Sequence, residues 1–406
     1  MSVVVKAKNL EKQTPIVNRR VVIVALLFFA ASVAGWFLLR GSNLTNVSES
    51  ASRSTARLKP NSQPNFEATV TNSAAAPASL PVGMVFIPGG EFSMGSLDPT
   101  EMVCGGDQPM DDARPLHRTY VDAFFMDATE VTNEEFEQFV TATGYVTIAE
   151  RKPTREEFPT VPEENLVAGS AVFSPAPVPV PLDDHYRWWS YVPGANWRHP
   201  TGPTSDLKGR EKYPAVQIAY DDAAAYAKWA GKRLPTEAEF EFAARGGLTG
   251  KPYAWGDELK PDGKFAANIY QGKFPVKDAD LGEDGFKGLA PVAQFRPNGY
   301  GLYDVAGNVW EWTSDWYSSR HPMVKSCCGA ANGELLKMQS CDPQMPNIPI
   351  PRRVIKGGSF LCAPNYCRRY RPAARMAQAI DTSVCHLGLR LIVRKENTKS
   401  SHGGIL

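Results

Sequence analysis

The chain has 406 residues, and its 44 Lys and Arg against 43 Asp and Glu leave a net charge of +1. This balance argues against a nucleic-acid binder, which normally carries a basic excess. Its 33 Gly and 33 Pro fit a loop-rich fold better than a helical bundle. The seven Cys are an odd number, so at least one is free, bound to a metal or paired between chains.

A run of 19 uncharged residues, 21–39, lies between Arg20 and Arg40. As a helix it would rise about 28 Å, close to the roughly 30 Å of a bilayer core. Behind a short basic tail, residues 1–20, it predicts a transmembrane anchor rather than a buried soluble helix. Cleavage by a signal peptidase near residues 32–34 stays open. We expect a single-pass membrane protein with an exported domain, although basic residues on both sides leave a cytoplasmic domain as the alternative.

Residues 40–81 are rich in Ser, Asn, Thr, Ala and Pro. They predict a disordered linker, because such a stretch cannot bury enough apolar surface to offset the ordering of the chain. The folded domain is expected at 82–394, followed by a polar tail at 395–406. Within the domain, residues 84–90 predict a strand that ends in a turn.

Three short helices are predicted in the domain, at 132–140, 221–230 and 236–245. The first and third begin with a capping box, formed by Thr132 with Glu135 and by Thr236 with Glu239. Few helices and much irregular backbone predict an α+β fold in one irregular domain. We expect the long connection from 150 to 210 to bury its tryptophans, because large aromatic rings are normally packed in a core.

The strongest chemical signal is the pair Cys362 and Cys367, which are joined by a proline-containing turn. Two thiolates on one loop are soft ligands that suit Cu(I). The arginines that follow, Arg368, Arg369 and Arg371, would lower the thiol pKa values. A plain disulfide in an exported protein explains the same spacing, whereas zinc would need two further ligands.

An acidic, glycine-containing cluster at 268–311 predicts calcium binding, because tight turns can aim carboxylate and carbonyl oxygens at one hard cation. Ordinary acidic loops are the alternative. Trp310, Trp312 and Trp316 predict either the lining of a pocket or core packing.

Taken in order, these segments resemble the formylglycine-generating enzymes, also called sulfatase-modifying factors, of the bacterial type. The resemblance covers residues 83–393. Its landmarks are the segments 84–90, 126–133, 194–200, 231–239 and 307–312 and the loop with Cys362 and Cys367. Many non-enzymatic relatives share the earlier landmarks, whereas the Cys-x4-Cys loop after Gly-Gly-Ser is specific to the oxidases.

The resemblance implies a variant of the C-type lectin fold with little regular secondary structure. It also implies a Cu(I)-dependent oxidase that uses O₂ to convert the cysteine of a Cys-x-Pro-x-Arg segment in client sulfatases to Cα-formylglycine. Client sulfatases and the membrane would be partners, and nucleic acid would not. One alternative is a non-catalytic lectin-fold binding module at the membrane, which would not need the cysteine pair. An iron-dependent C–S bond-forming relative would need a His-rich N-terminal domain, which residues 1–80 do not resemble.

The same resemblance assigns the site residues. Copper would be held by Cys362 and Cys367, with Ser359, Tyr366 and Trp310 beside it. One calcium ion would be bound by Asn268, Asp284 and the carbonyls of Ile269 and Phe286. A second calcium ion would be bound by Asp304, Glu311 and the carbonyls of Gly307 and Val309.

The chain departs from the animal members at three positions. His386 stands where they have Asn, and Pro372 and Leu391 stand where they have disulfide-forming Cys. Cys341 could bridge to either of two adjacent cysteines in a segment that resembles an insert of bacterial members. The cysteines without an assigned partner are Cys104, Cys327, Cys328, Cys341 and Cys385.

Overall fold

The computed structural model describes residues 65–73, 76–77, 79–97, 110–159, 161–321, 333–343 and 349–394. The predicted tails, the anchor and much of the predicted linker lie outside these ranges, as do Cys104, Cys327 and Cys328. Among the described residues, no helix combines the length and the apolar composition needed to cross a bilayer. The described residues within 65–159 and 166–394 form one compact unit, which holds every element and site residue discussed below.

The described chain forms four α-helices and twelve short strands. The helices are α1 (Asn133–Thr143), α2 (Tyr220–Trp229), α3 (Glu237–Arg245) and α4 (Gly333–Gln339). The strands are β1 (Val70–Thr71), β2 (Met84–Ile87), β3 (Gly90–Met94), β4 (His117–Val121), β5 (Phe124–Asp127), β6 (Gly169–Phe173), β7 (Trp189–Pro193), β8 (Trp310–Trp316), β9 (Arg352–Lys356), β10 (Met376–Ala379), β11 (Leu387–Gly388) and β12 (Ile392–Val393). This composition confirms the predicted α+β class with little regular secondary structure.

The three predicted helices are present as α1, α2 and α3. Thr132 and Thr236 cap α1 and α3 through reciprocal bonds with the glutamate three residues on. Gly144 and Gly246 then end these helices in the left-handed conformation, which glycine adopts without steric cost. The predicted strand at 84–90 is β2, whereas α4 was not predicted.

The strands form four small sheets. Their orders are β1-β3-β4, β10-β9-β8-β11, β12-β5-β2 and β6-β7. All pairs are antiparallel except β11 with β8, where Leu387 lies opposite Trp310. The four-stranded sheet therefore places Trp310 on β8 and the end of β9 side by side, and β9 leads directly into the cysteine loop.

Aromatic side chains fill the core, as expected for a fold with so little regular structure. Trp188 and Trp197 are each 1% exposed, and Trp189 is partly buried, which confirms the expectation for the connection from 150 to 210. The largest buried cluster joins α1 and α2 to β8 and contains both Trp310 and Cys362. The cysteine site is thus built onto the main core.

Contacts with the domain begin before residue 82, where the sequence analysis places its start. Val70 and Thr71 pair with β3, and the Glu67 amide donates to Ser93 Oγ at 3.0 Å. A Cβ on Gly90 would lie 2.2 Å from the Val70 carbonyl oxygen, so glycine is needed for this approach. The predicted linker therefore ends at least ten residues earlier than expected, because main-chain pairing does not require the apolar side chains on which that boundary rests.

A buried ion cluster ties α3 to β9 and to the segment before β10. Glu241 contacts Arg245 at 2.7 Å and Lys356 at 3.1 Å, and Glu237 contacts Arg375 at 2.7 Å. All five side chains are at most 8% exposed. Because breaking such pairs leaves a buried charge uncompensated, the cluster fixes α3 against the strand that leads to the cysteine loop.

Candidate active site

The cysteine loop starts at two glycines directly after β9. Gly357 and Gly358 have φ of 93° and 76°, in the region that favours glycine. A Cβ on Gly358 would lie 2.8 Å from the amide nitrogen of Tyr370. The start of the loop therefore packs directly against its end, and the residues between them form a closed turn.

This turn brings the two predicted copper ligands together. The Sγ atoms of Cys362 and Cys367 lie 3.2 Å apart, longer than the roughly 2.05 Å of a disulfide bond, and both are free thiols. The Ser359 amide donates to Cys362 Sγ at 3.4 Å, and the Cys367 amide donates to the Ala363 carbonyl at 3.0 Å. The local backbone thus holds both sulfur atoms on one side of the loop.

The two thiols differ in burial and acidity. Cys362 is 2% exposed, and burial, followed by the hydrogen bond with Cys367, raises its pKa well above the usual range. The pKa of Cys367 is lowered, first by its hydrogen bond with Cys362 and further by Arg369. Cys367 is therefore the first of the pair to become a thiolate, the form that binds metals.

The predicted pocket residues surround this pair. Ser359 is fully buried, and its Oγ accepts from the Leu361 amide at 3.2 Å. Trp310, at 1% exposed, belongs to the same buried cluster as Cys362. Tyr366 lies between the cysteines in sequence, and burial, followed by the neighbouring thiolates, raises its pKa. A protonated phenol and a buried indole leave the thiol pair in largely apolar surroundings.

Sequence reasoning missed the aromatic residues that pack on this loop from distant segments. The Phe274 ring stacks on Tyr366 at 4.5 Å between centroids, and Trp188 meets both rings edge-on at 5.5 Å. The aromatic-rich segment around Trp188 was expected to be buried, but nothing in the sequence indicates which loop it covers. These rings shield one side of the thiol pair from water.

His386 also lies beside the pocket. Its carbonyl accepts from the Trp310 amide at 2.9 Å, and its ring lies 4.9 Å from that of Trp189. Burial lowers its pKa to about 3, and its Nδ1 is buried without a hydrogen-bond partner. His386 is therefore neutral at physiological pH.

The residues predicted for the first calcium site lie together. Asp284 accepts from the amides of Ile269 and Phe286, both at 2.9 Å. Asn268 instead donates to the carbonyl of Gly288 at 2.9 Å. The side-chain amide of Gln271 donates to both the Ile269 carbonyl and Asp284 Oδ2. Two of the predicted oxygen ligands therefore converge on one point, where the nitrogen of Gln271 lies.

The second predicted site is a buried carboxylate cluster. Both oxygens of Glu311 accept from Arg390, at 2.7 and 2.8 Å, and Asp304 Oδ2 accepts from the Ala293 amide at 2.6 Å. Asp304 has a φ of 52° and Gly307 a φ of 85°, so the turn between them follows the predicted tight path. Asp304 and Glu311 are thus brought together as expected.

Glu130, which the sequence did not point to, completes this cluster. Its Oε1 accepts from Asn308 at 3.0 Å, whereas its Oε2 is buried without a hydrogen-bond partner and lies 4.0 Å from Arg390. Burial, followed by Asp304, raises its pKa well above the usual range. Three buried carboxylates thus share Arg390 as the cation beside them.

Within the described ranges, no three His, Cys, Asp or Glu side chains surround a common point as metal ligands. Any calcium at these loops would therefore use main-chain or amide oxygens as well. Of the remaining cysteines, Cys341 and Cys385 are free thiols. Burial raises the pKa of Cys385 to about 12, so it stays protonated.

The chain is similar to known proteins over most of its length. The family described as "Sulfatase-modifying factor enzyme 1-like domain" matches residues 69–395. A formylglycine-generating enzyme from Mycobacterium tuberculosis is 45% identical, covering 76% of this chain and 97% of that protein. One from Bos taurus is 43% identical over 79% of each chain. An inactive Cα-formylglycine-generating enzyme 2, also from Bos taurus, is 35% identical over 76% of this chain and 87% of that protein.

Proposed function

The chain belongs to the formylglycine-generating enzymes, the sulfatase-modifying factors, and we propose that Cys362 and Cys367 hold the Cu(I) with which it oxidises a cysteine of its client sulfatases. The product is Cα-formylglycine, and the oxidant is O₂. We further propose that the client cysteine lies in a Cys-x-Pro-x-Arg segment, as the resemblance implies. The observation that carries the proposal is the pair of free thiols 3.2 Å apart in a buried loop.

The donor set fits Cu(I). Two sulfur ligands suit this soft ion, and the lowered pKa of Cys367 makes a thiolate available. The bound ion would supply the one-electron chemistry by which O₂ reacts with an otherwise inert cysteine side chain.

The protein's own residues prepare this site. The Ser359 amide orients Cys362 by donating to its sulfur. Phe274 and Trp188 pack against Tyr366, which directly precedes Cys367. Neutral His386 and the indole of Trp310 add no charge. Arg369 is the cation that helps to lower the pKa of Cys367. Apolar surroundings of this kind strengthen electrostatic interactions and disfavour side reactions.

Calcium is the second part of the proposal. At the carboxylate cluster, Asp304 and Glu311 would bind the ion with the carbonyls of Gly307 and Val309. Glu130 lies beside these ligands, and its raised pKa keeps it protonated, so it is not counted among them. Asp304 and Glu311 carry two carboxylates beside the single cation Arg390, and a divalent ion would balance the excess of negative charge.

The first calcium site would use Asp284, Asn268 and the carbonyls of Ile269 and Phe286. The convergence of the Ile269 carbonyl and Asp284 on the Gln271 amide supports it. A bound ion requires Gln271 to turn its nitrogen away from these oxygens.

We also propose that residues 21–39 anchor the chain in a membrane with the enzyme domain exported. The uncharged run between two arginines supports this. A protease added to cells after their outer layers are opened should then digest the domain. Full protection would place the domain in the cytoplasm.

The test of the proposed activity is a mass measurement on a peptide. The full chain, loaded with Cu(I) and supplied with O₂ and a thiol reductant, should convert the cysteine of a Cys-x-Pro-x-Arg peptide to an aldehyde. A peptide with Ser in place of that Cys is the matched control and should not change. An unchanged Cys peptide would reject the oxidase and favour the non-catalytic binding module, the class that the inactive relative represents.

A further inference from the structure

A row of aromatic rings runs from the buried cysteine loop to the protein surface. Tyr370, three residues after Cys367, is 0% exposed. Its ring lies 6.2 Å from that of Tyr253 at an interplanar angle of 14°, and the Tyr253 ring lies 5.2 Å from that of Trp255 at 4°. Tyr253 and Trp255 are both partly exposed. We name Tyr370, Tyr253 and Trp255 the aromatic row.

The inner end of the row adjoins the thiol pair. Tyr370 and Cys362 belong to the same buried cluster. The backbone of Tyr370 packs on Gly358 so closely that a Cβ there would lie 2.8 Å from its nitrogen, and the next amide, that of Ser359, donates to Cys362 Sγ. Burial raises the pKa of Tyr370, with Cys362 among the smaller causes. Its phenol therefore stays protonated.

The other aromatic group on the loop differs in composition and in burial. Tyr366 stacks on Phe274 and meets Trp188 edge-on, and because Trp188 is 1% exposed this group ends inside the core. The aromatic row consists only of Tyr and Trp, the two readily oxidised ring types, and passes from fully buried Tyr370 to partly exposed Tyr253 and Trp255. Tight packing alone would not require this choice of residues.

The proposed reaction needs electrons from outside the protein. Conversion of a cysteine to an aldehyde and H₂S releases two electrons, whereas reduction of O₂ to water takes four. A low-molecular-weight thiol can supply the other two, because two thiols form one disulfide with loss of two electrons and two protons. The balance is RCH₂SH + O₂ + 2 R′SH → RCHO + H₂S + H₂O + R′SSR′. Cys362 is 2% exposed, so a thiol in solvent does not reach its sulfur directly and electrons for it need a route inward.

Building on the proposed function, we propose that the aromatic row conducts these two electrons, one at a time, from a thiol at Trp255 to the site of Cys362 and Cys367. Tyr253 loses an electron to the site through the ring of Tyr370, which is not itself oxidised. The phenolic proton of Tyr253 passes to water and returns when Trp255 re-reduces the ring. The thiol then reduces Trp255, and after two such cycles two thiols have become one disulfide.

The row can be tested without copper, by running it in reverse. In the copper-free full chain, a ruthenium(III) photo-oxidant takes electrons from partly exposed Trp255. Electrons from the two thiols then pass outward through the row and reduce Trp255 again. Two electrons and two protons leave Cys362 and Cys367, and a disulfide forms between them, counted by thiol alkylation and mass spectrometry. Tyr253→Phe keeps the stacked ring but removes the oxidisable phenol. The disulfide yield should fall at least about tenfold, which corresponds to about 1.4 kcal/mol of added barrier.

Two further variants keep this test decisive. Trp255→Phe should lower the yield as Tyr253→Phe does, because electrons are then not withdrawn at the outer end. Tyr300→Phe is the matched control, since Tyr300 also stacks on a ring, Phe242 at 5.7 Å and 12°, but packs against a cluster that does not contain Cys362. It should leave the yield unchanged. Equal disulfide yields in the wild type and all three variants would overturn the proposed electron transfer through the aromatic row.

A turnover assay is the second test of the aromatic row. With Cu(I), O₂, peptide and limiting thiol, Tyr253→Phe should slow aldehyde formation by a similar factor and leave the Kd for the peptide and for Cu(I) unchanged. Equal rates in Tyr253→Phe and wild type would contradict electron transfer through the aromatic row and leave the proposed oxidase unaffected. A wild type that leaves the peptide unchanged would reject the proposed oxidase and, with it, this role of the row.

Discussion

Two buried carboxylate clusters in this domain differ in how their charge is balanced. Glu237 and Glu241 each have a cation at 2.7 Å, and Lys356 lies between them. Burial alone would raise the pKa of Glu241, yet Lys356 and Arg245 lower it to about 2. Each carboxylate of this cluster is therefore satisfied by its own cation at contact distance, although Glu237 Oε1 makes no well-oriented hydrogen bond.

Glu130, Asp304 and Glu311 form the opposite case. They share Arg390, and burial raises the pKa of all three. Arg390 lies 4.0 Å from Glu130, farther than the contacts in the first cluster. Because burying charged carboxylates is costly unless they are paired, this cluster is where we propose a bound calcium ion.

The difference between the two clusters distinguishes buried polar groups with a structural role from those with a functional one. A buried polar group that the chain satisfies internally holds elements together, and one that it leaves incomplete indicates a ligand. The cysteine pair belongs to the second kind, since its two sulfur atoms lie 3.2 Å apart without a bond between them. The expected effects below follow from this division.

The largest effect on stability should come from Glu241→Gln in the satisfied cluster. The change keeps the shape of the side chain but leaves Lys356 and Arg245 as buried cations without this partner. We expect a loss of about 3–5 kcal/mol of unfolding free energy, measured by denaturant titration. Glu134→Gln is the control, because its ion pair with Lys212 is equally short, at 2.6 Å, but exposed. A loss of stability in Glu134→Gln as large as in Glu241→Gln would contradict the structural role assigned to the buried cluster.

Acid should weaken the same cluster. The folded-state pKa of Glu241 lies at about 2, below the ordinary value of 4.5, so its contribution is fully present above pH 4.5 and is lost as the pH falls towards 2. The melting temperature should decline across this window. Glu241→Gln should decline less steeply, and an equal slope in both proteins would assign the acid sensitivity to other groups.

Chelation should act on the unsatisfied cluster. A site that binds only the folded state stabilises it by about 2.7 kcal/mol when the ligand is at a hundredfold excess over Kd. Removing calcium should therefore lower the melting temperature of the wild type. Asp304→Asn should reduce that shift, because it removes the charge of one proposed ligand. No shift in the wild type, together with no calcium in the purified protein, would reject both sites.

The smallest effect should come from Ser359→Ala in the cysteine loop. Ser359 Oγ accepts from the Leu361 amide and also bonds with the Cys362 thiol, while the main-chain bond from Ser359 to Cys362 survives the change. A side-chain hydrogen bond of this kind contributes about 1 kcal/mol net, or roughly fivefold in rate. Steady-state kinetics with the peptide would measure this. A complete loss of turnover would give the hydroxyl a direct part in the reaction.

The sequence predicted those contacts whose residues lie only a few positions apart in the chain. The capping boxes of α1 and α3 span four residues each, and both were identified. The same holds for the thiol pair, because five residues and a turn decide whether Cys362 meets Cys367. Asp304 and Glu311 were found for the same reason.

Residues that meet through the fold were not predictable. Glu130 reaches Asn308 across 178 positions, and no local pattern marks that contact. Phe274 and Trp188 meet Tyr366 only because separate irregular segments pack on one loop. The pairing of residues 70–71 with β3 was not predicted, because it is made by main-chain hydrogen bonds, which amino-acid composition does not reveal.

The most direct test of the central claim is to assay Cys362→Ser and Cys367→Ser for copper content, melting temperature and peptide oxidation together. A lone thiolate cannot provide two sulfur ligands, so each variant should lose the single Cu(I) and all turnover while its melting temperature stays close to that of the wild type. A structural disulfide predicts the reverse, a loss of about 2–4 kcal/mol of stability in both variants and no effect of copper on the wild type. That second result would contradict the assignment of the cysteine pair as a copper oxidase site.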